Sequence, residues 1–287
     1  MKFFCISQKT QKITRGLLKK SAQDKGLKFV NVDVNEFNVL NQEYQNNEGV
    51  LYRITSGELA KNIELFLLQK NKLTTFYKTN KRAFFNAMDI PLQKFYNIPM
   101  PKTVTVINDD YEILRNLVDE IGGFPIILKV TGLSHGAGVM KMNSMESLIS
   151  VIGFLKKSGA KKMVLRQYIE SYRHARLIVL GNEVIDSIEY IVPKNDFRTN
   201  VGKPRVKAEK FPKIFEEIAI RAIEILDLEF SGIDILIGKN NEPYLAEVNF
   251  PCYFPRNQLT TGVDISGAMV DFLVSKHKKE QKNDSKN

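Results

Sequence analysis

Three oxygen-bearing side chains, those of Asp234, Glu247 and Asn249, lie in two neighbouring apolar runs near the C-terminal end of the sequence. Carboxylate and amide oxygens are hard ligands, and they suit a Mg²⁺ ion that protein and substrate phosphates hold jointly. Two like charges opposite each other on a sheet cost about 0.2–1 kcal/mol, and a cation between them removes that cost. The three residues therefore predict a metal site, with a solvated hairpin face that carries acids as the alternative.

A β-hairpin is the element that would bring these three residues together. Residues 239–242 form a turn-like tetrapeptide between the two strand-like runs. If they are the loop, Gly238 pairs with Pro243 and Asp234 with Glu247, and alternation along the strands puts the polar side chains on one face. The opposite face is then predicted to carry Ile233, Ile235, Ile237, Tyr244, Ala246 and Val248.

A lysine and a glycine-rich loop follow each other in the middle of the chain. Lys129 stands inside the apolar strand pattern of residues 124–130, where a lysine needs a partner. The loop at residues 131–138 leads into another strand rather than a helix, which excludes a Walker loop and a Rossmann turn. Its glycines let backbone N–H groups approach an anion closely, so phosphate binding is one interpretation and an ordinary flexible loop is the other.

The pattern of strands and helices predicts the elements that position these residues. Strands alternate with helices at the start of the chain, which predicts a small parallel α/β domain. Arg53 ends one of its strands, either at the edge where ligands often bind or as a surface arginine. Ser56 is the predicted N-cap of the helix at 58–69, and an amphipathic helix at 213–228 leads into the hairpin.

Composition and charge point to anionic ligands. The 287 residues are 43% hydrophobic, enough for a buried core, and carry a net charge of +10. Residues 275–287 hold five lysines against Glu280 and Asp284, and this polar segment is predicted to be a disordered basic tail. The remaining charge of +7 favours nucleotides or acidic peptides. Nucleic acid is a weaker interpretation, because no zinc-finger spacing or RNA-binding signature accompanies the charge.

The sequence predicts a cytoplasmic protein without membrane contact. No apolar run approaches the roughly 20 residues needed to span a bilayer, and the apolar part of the N-terminus is too short for a signal peptide. The two cysteines, Cys5 and Cys252, form no disulfide framework and no metal spacing.

Taken in chain order, these features resemble the ATP-grasp enzymes, and within them the RimK-type amino-acid ligases. The resemblance covers residues 80–273. It implies an α/β (α+β) fold with an N-terminal domain over 1–78 and an ATP-grasp domain over 79–274, of which about 99–168 form a lid. The motifs that carry it, besides Lys129, the glycine-rich loop and Arg176, are RQYI (166–169), DFRTN (196–200), SGIDILI (231–237), LAEVN (245–249) and TGVDI (261–265).

The resemblance also implies roles for individual residues. Arg176 and Arg198 match catalytic arginines, near the reacting acyl phosphate and the triphosphate respectively. Mg²⁺ or Mn²⁺ is implied as the metal, with Asp234, Glu247 and Asn249 as its ligands. The residues implied to bind ATP are Lys129, Gly136, Gly138, Gln167, Tyr168, Ile169 and Asn200.

Several positions depart from the family pattern. Gln167 stands where the family usually has Glu, and the second nucleotide lysine is either Lys81 or Lys94. His174 stands where an Asp normally precedes Arg176 by two residues. It is predicted either to begin a strand beside Arg176, whose charge favours the neutral imidazole, or to lie in a solvent loop.

A further departure follows Asn249, where Phe250-Pro251-Cys252 replaces the usual Ser-Pro-Gly. Cys252 is interpreted as a small residue that fills a tight turn, with a redox-sensitive or acceptor-side thiol as the alternative.

The predicted activity is that of an ATP-dependent carboxylate–amine ligase. The γ-phosphate passes to a carboxylate, and an amine then attacks the acyl phosphate to form an amide. The predicted partners are ATP and an amino acid or an acidic peptide or protein, and a homo-oligomer is left open. A small-molecule kinase on the same scaffold and a nucleotide-binding regulatory protein without chemistry remain the alternatives.

Overall fold

Three β-sheets organise the protein in the computed structural model. The first sheet contains four parallel strands in the order β2-β1-β3-β4. The model describes residues 1–79, 97–131, 137–160, 162–171, 173–191, 196–198 and 205–284. The elements of the first unit are β1 (Lys2–Ser7), α1 (Lys12–Asp24), β2 (Lys28–Asp33), a 3₁₀ turn (Gln42–Tyr44), β3 (Glu48–Arg53), α2 (Glu58–Lys70) and β4 (Lys72–Thr74).

This first unit confirms the predicted parallel α/β arrangement, with two local corrections. Gly57 is the N-cap of α2 and gives no side-chain hydrogen bond, so the predicted cap at Ser56 is wrong. Arg53 is only 1% exposed and its Nε donates to Glu64 Oε2 at 3.0 Å, so its interpretation as a surface arginine is wrong too. A charge this deeply buried requires a paired acid, and α2 supplies it.

The second sheet is antiparallel, in the order β5-β8-β6-β7, and two helices pack on it. Alternate residues of β6, among them Ile126 and Leu128, are fully buried against these helices. Asp110 and Ser144 cap the two helices through their side chains. The elements are β5 (Thr103–Val106), α3 (Tyr111–Glu120), β6 (Ile126–Val130), β7 (Val139–Met142), α4 (Met145–Lys157) and β8 (Met163–Gln167).

The third sheet has five antiparallel strands in the order β11-β10-β9-β12-β13. A helix rich in buried apolar residues covers one face of it, and Phe230 and Phe254 join the other face to the core of the first unit. The elements are β9 (Arg173–Leu180), β10 (Glu183–Ile191), β11 (Arg205–Ala208), α5 (Lys213–Ile225), β12 (Phe230–Ile237), a 3₁₀ turn (Lys239–Asn241), β13 (Pro243–Asn249), α6 (Pro255–Thr261) and α7 (Ile265–Asp284).

The register of the β12–β13 hairpin differs from the predicted one at its loop end. Ile237, not Gly238, pairs with Pro243, and a one-residue bulge follows before Asp234 pairs with Glu247 as predicted. The bulge changes which side chains of β13 face the core. Leu245 is 1% exposed in the core there, so the predicted inward placement of Tyr244 and Ala246 is wrong.

The C-terminal segment is helical up to Asp284, so the predicted disordered tail is wrong over residues 275–284. This part of the helix has few apolar side chains, and polar contacts attach it to the rest of the protein. Lys276 donates to the carbonyls of Thr75 and Tyr77 at 3.0 and 2.6 Å, and the buried His277 lies 3.0 Å from the hydroxyl of Thr74.

Because α7 packs on α1, β3 and β4, this C-terminal helix is part of the first unit in space. The domain boundary at residues 78 and 79 stays a prediction. Among the helices that the structure describes, none is long and apolar enough to cross a membrane.

Candidate active site

A cleft of about 980 Å³, counted with its open mouth, lies between the second and third sheets. Strands β6, β7 and β8 form one wall, and β9, β10, β12 and β13 form the other. The site residues predicted from the sequence that line it are Lys129, Gln167, Tyr168, Ile169, Arg198, Asp234 and Glu247.

The other predicted site residues lie beside the cleft or outside the described part of the chain. Arg176 and Asn249 contact Asp234 directly. Gly138 ends the β6–β7 connection, where its carbonyl accepts a hydrogen bond from the Val130 N–H at 2.9 Å. The structure does not describe Gly136, Asn200, Lys81 or Lys94.

Asp234 is the centre of a hydrogen-bonded group on the third sheet. Arg176 pairs with it across β9 and β12, and the guanidinium donates from Nη2 to Oδ2 at 2.7 Å and from Nε to Oδ1. Asn249 donates from Nδ2 to the same Oδ2 at 3.0 Å. Burial opposes the charge of Arg176, but Asp234 outweighs it and raises the pKa of the guanidinium above its usual value. The pair is therefore ionised, and its fork geometry fixes the Asp234 carboxylate.

Glu247 faces the second sheet across the cleft. Its Oε1 lies 3.6 Å from Nζ of Lys129, which projects from β6. Lys129 is thus the strand lysine that the sequence predicted to need a partner, and the partner is one of the predicted metal ligands. This contact connects the two walls of the cleft.

The chemistry of these donors fits a hard divalent cation. Asp234 and Glu247 supply carboxylates from directly opposite positions, and Asn249, whose amide nitrogen is given to Asp234, retains its amide oxygen. Among the described residues there is no cluster of three or more histidines, cysteines and acids that could hold a metal. Two carboxylates and one amide match a Mg²⁺ site that phosphate oxygens and water complete.

Arg198 lies on the cleft wall, and the carboxylate of Asp196 compensates its charge. Its Nη2 and Nε donate to the two carboxylate oxygens of Asp196 at 2.8 and 3.0 Å. These hydrogen bonds lower the pKa of Asp196 below its usual value. Asp196 therefore orients Arg198, which lines the cleft.

His174 lies on β9 and lines the cleft, so the solvent-loop alternative is wrong. Burial lowers its pKa to about 4, against the opposing effect of Asp234. The imidazole is therefore neutral near pH 7, as predicted, but the cause is burial rather than the charge of Arg176.

This pKa predicts a pH dependence of stability. Unfolded His174 binds a proton near pH 6.5, whereas folded His174 does so only near pH 4. The unfolded state therefore binds more protons than the folded state between these two pH values. The free energy of unfolding decreases as the pH falls through this range, by less than about 1.4 kcal/mol per pH unit. His174→Gln should remove this loss, which urea unfolding of both proteins at pH 7.5 and pH 4.5 measures. Equal losses in the two proteins would contradict the assignment.

Cys252 is packed tightly behind the Arg176–Asp234 pair. A Cβ added at Gly232 would meet its Sγ at 2.5 Å and Nη1 of Arg176 at 3.1 Å. Burial raises the pKa of the Cys252 thiol to about 12. A buried thiol that stays protonated is unreactive, which favours the interpretation as a small residue in a tight turn.

Arg166 is a cleft residue that the sequence reasoning passed over. Its Nη1 donates to the carbonyl of Ala246 at 2.9 Å and its Nε to Thr103 Oγ1 at 3.1 Å. It thereby connects β8 to β13, the strand of the predicted metal ligands Glu247 and Asn249. The available signal was a second charged residue inside an apolar strand, immediately before Gln167.

Comparison with known proteins gives the same family as the motifs. The model of the RimK-like ATP-grasp domain matches residues 77–273. A probable alpha-L-glutamate ligase of Enterobacter sp. (strain 638) is 34% identical over 198 residues, which cover 68% of this chain and 64% of the relative. The ribosomal protein bS6–L-glutamate ligase of Escherichia coli O7:K1 (strain IAI39 / ExPEC) is 31% identical over 173 residues, 59% of this chain and 57% of the relative.

These alignments span less than two thirds of the curated relatives' own length. Among solved structures, the ATP-grasp ligase PsnB complexed with minimal precursor has a TM-score of 0.73 at 15% identity, covering 96% of this chain and 99% of PsnB. That likeness extends over the first unit as well and shows the ATP-grasp fold. With the family model matched over most of the chain and the cleft formed between the two antiparallel sheets, the protein belongs to the RimK-like ATP-grasp family.

Proposed function

We propose that the protein is an ATP-dependent carboxylate–amine ligase that forms an amide and releases ADP and phosphate. The observation that carries this proposal is the Asp234–Glu247 pair, opposed in register, with Arg176 bound to Asp234 and Lys129 reaching Glu247. This arrangement gathers two carboxylates for a metal and two cations for phosphate oxygens in and directly beside one cleft. The names of the curated relatives, both L-glutamate ligases, support the reaction type.

The nucleotide is proposed to lie between the two walls of the cleft. The main-chain N–H of Gln167 already donates to the Lys102 carbonyl at 2.8 Å, which leaves the main chain of Tyr168 and Ile169 to recognise adenine. Lys129 is proposed to contact phosphate oxygens. Gly138, with φ +73°, ends the loop that is proposed to close over the phosphates.

Asp234, Glu247 and Asn249 are the residues that would hold Mg²⁺ or Mn²⁺. When bound, such an ion neutralises phosphate charge and orients the triphosphate. Arg176 keeps the Asp234 carboxylate fixed in advance, so little reorganisation is needed when the site fills.

The two arginines are proposed to stabilise the charge that develops on the transferred phosphoryl group. The amine nitrogen then attacks the acyl carbon, and the C–N bond forms as the C–O bond to phosphate breaks. Phosphate leaves with the electron pair, and the amine loses a proton. A closed lid excludes water that would otherwise hydrolyse the acyl phosphate.

The substrate class is proposed from the names of similar proteins. The Escherichia coli relative is named for L-glutamate and ribosomal protein bS6, and PsnB was solved with a precursor. We therefore propose L-glutamate as the amine substrate and the carboxylate of a peptide or protein as the acceptor. The net charge of +10 agrees with an acidic acceptor.

A mass-resolved assay tests the ligase. The protein is incubated with ATP, Mg²⁺, L-glutamate and a panel of acidic peptides, with each substrate omitted in turn. Release of ADP and an amide product only when acid and amine are both present is expected. A stable phosphorylated product without amine would indicate a kinase, and ATP binding without turnover would indicate a regulatory protein.

Replacing Lys129 by alanine should weaken binding of ATP. A hydrogen bond to a charged group contributes about 1.5–3 kcal/mol, so the dissociation constant is expected to rise about 10- to 100-fold. Isothermal titration with a non-hydrolysable ATP analogue measures it. Lys156→Ala is the control, because Lys156 is a lysine of the same sheet unit that pairs with Asp109 on the surface. Equal affinities of the Lys129 variant and the wild type would mean that Lys129 does not contact the nucleotide.

A further inference from the structure

Arg256 differs from Arg176 and Arg198 in having a neutral partner. Arg176 and Arg198 each place their guanidinium on a carboxylate, that of Asp234 and of Asp196. Arg256 instead donates from Nη1 to the hydroxyl of Tyr190 at 3.3 Å, with its guanidinium 5.6 Å from the centre of that ring. Among the described residues, no acid lies within ion-pair distance of it. Its charge is therefore available for an anion.

The position of Arg256 is fixed by its neighbours. Asn257 is fully buried and donates from Nδ2 to Asp186 Oδ2 on β10 at 3.0 Å, which attaches the start of α6 to the sheet. The helix packs on β10 and β11. Arg256 is thus held over Tyr190 while its side chain remains partly exposed. A guanidinium resting against an aromatic ring is also held electrostatically by the ring face.

Tyr190 places this arginine at the rim of the cleft. The ring lines the cleft, and its strand position pairs with that of His174, two residues before Arg176. Strands lie about 4.8 Å apart and rise about 3.4 Å per residue, so the Cα atoms of Tyr190 and Arg176 are about 8 Å apart. Arg256, held over Tyr190, is therefore fixed on the strand next to the one that carries Arg176.

We infer that Arg256 binds a carboxylate of the incoming amino acid and directs its amine toward the acyl phosphate near Arg176. This inference rests on the proposed ligase activity. A planar guanidinium matches a carboxylate with two parallel hydrogen bonds, which an ammonium group does not provide. The Tyr190 hydroxyl lies beside the same guanidinium and fixes its orientation. The role is distinct from those of Arg176 and Arg198, whose forks are already occupied by acids.

Binding of L-glutamate to the protein with Mg²⁺ and ADP tests the inference, with isothermal titration as the readout. Arg256→Gln should raise the dissociation constant of L-glutamate about 10- to 100-fold. The dissociation constant of Arg256→Lys should lie between those of Arg256→Gln and the wild type. L-Glutamine keeps only the α-carboxylate and L-isoglutamine keeps only the side-chain carboxylate. Arg256→Gln should reduce the affinity for one of these two amides as strongly as the affinity for L-glutamate, and it should leave the affinity for the other nearly unchanged. The amide whose binding is weakened carries the carboxylate that Arg256 holds.

Arg115→Gln is the matched control, because Arg115 is an exposed arginine of α3 that forms an ion pair with Glu112 of its own helix. Unchanged L-glutamate affinity in Arg256→Gln, equal weakening of both amides, or no binding of L-glutamate to the wild type would overturn the inference. Failure of the ligase proposal is distinguishable from failure of this inference. It would appear as absence of ADP release by the wild type when acid and amine are both supplied.

Discussion

Replacing Glu247 by alanine is expected to lower turnover by more than about 100-fold, because changes to groups that merely support a metal ligand already cost about 10- to 100-fold. The fold should survive the change. The Glu247 side chain is 49% exposed, and its contact with Lys129, at 3.6 Å, lies in the open cleft. Turnover of the ligase substrates and Mg²⁺-dependent binding of a non-hydrolysable ATP analogue are the two measurements. In the binding measurement, Glu247→Ala should need a higher Mg²⁺ concentration than the wild type to reach half-saturation.

Glu242→Ala is the matched control for this change. Glu242 is an exposed acid on the same hairpin, outside the cleft, where it accepts a hydrogen bond from Tyr244 at 2.7 Å. Its removal subtracts one negative charge from the same hairpin without changing the proposed metal ligands. Near-normal turnover of the Glu247 variant at saturating Mg²⁺ would refute the metal assignment.

The hairpin illustrates how far the sequence predicts this site. Alternation and a short turn were enough to place Asp234 opposite Glu247, and the structure confirms that pair. The predicted loop was one residue too short, and a bulge in β13 compensates for the difference. Sequence alternation does not reveal a bulge, because the inserted residue follows the same apolar pattern as its neighbours. Because the bulge offsets the error in loop length, the predicted pairing of Asp234 with Glu247 is correct. The predicted inward-facing residues of β13 between the loop and the bulge are wrong.

Long-range polar contacts are the part that sequence patterns did not reveal. The pair of Arg53 with Glu64 is buried, and α7 is held by Lys276 and His277 against residues about 200 positions earlier. The sequence predicted Arg53 at a ligand-binding strand edge or on the surface, and it predicted residues 275–287 to be disordered. Such contacts depend on which elements meet in space, and neither apolar periodicity nor local capping carries that information.

The state of His174 shows the same limit within the site. The sequence indicated a neutral imidazole from its cationic neighbour, but that neighbour's charge is taken up by Asp234. Burial between the strands keeps the ring neutral. The extent of burial depends on how the two sheets approach each other, so it became visible only in the structure.

Replacing Arg176 by alanine should lower turnover about 100- to 1,000-fold, the effect of removing one group that stabilises developing charge. Binding of ATP should change less, because the proposed nucleotide contacts lie on β6 and at residues 168–169. The change also leaves Asp234 without its cation, and breaking a buried pair costs about 3–5 kcal/mol of stability. Single-turnover rates, affinity for an ATP analogue and urea unfolding separate these effects.

Arg173→Ala distinguishes lost chemistry from lost stability. Arg173 lies on the same strand as Arg176 and donates from Nε to the buried Glu189 at 2.9 Å, on the face away from the cleft. Its removal takes the closer of two cations from a buried acid, since Lys207 Nζ also lies 3.6 Å from Glu189, so both variants should lose stability, but only Arg176→Ala should lose turnover. If Arg176→Ala turns over at the rate of Arg173→Ala, the acyl phosphate does not lie beside β9, and the charge of Arg176 serves only to hold Asp234 in place.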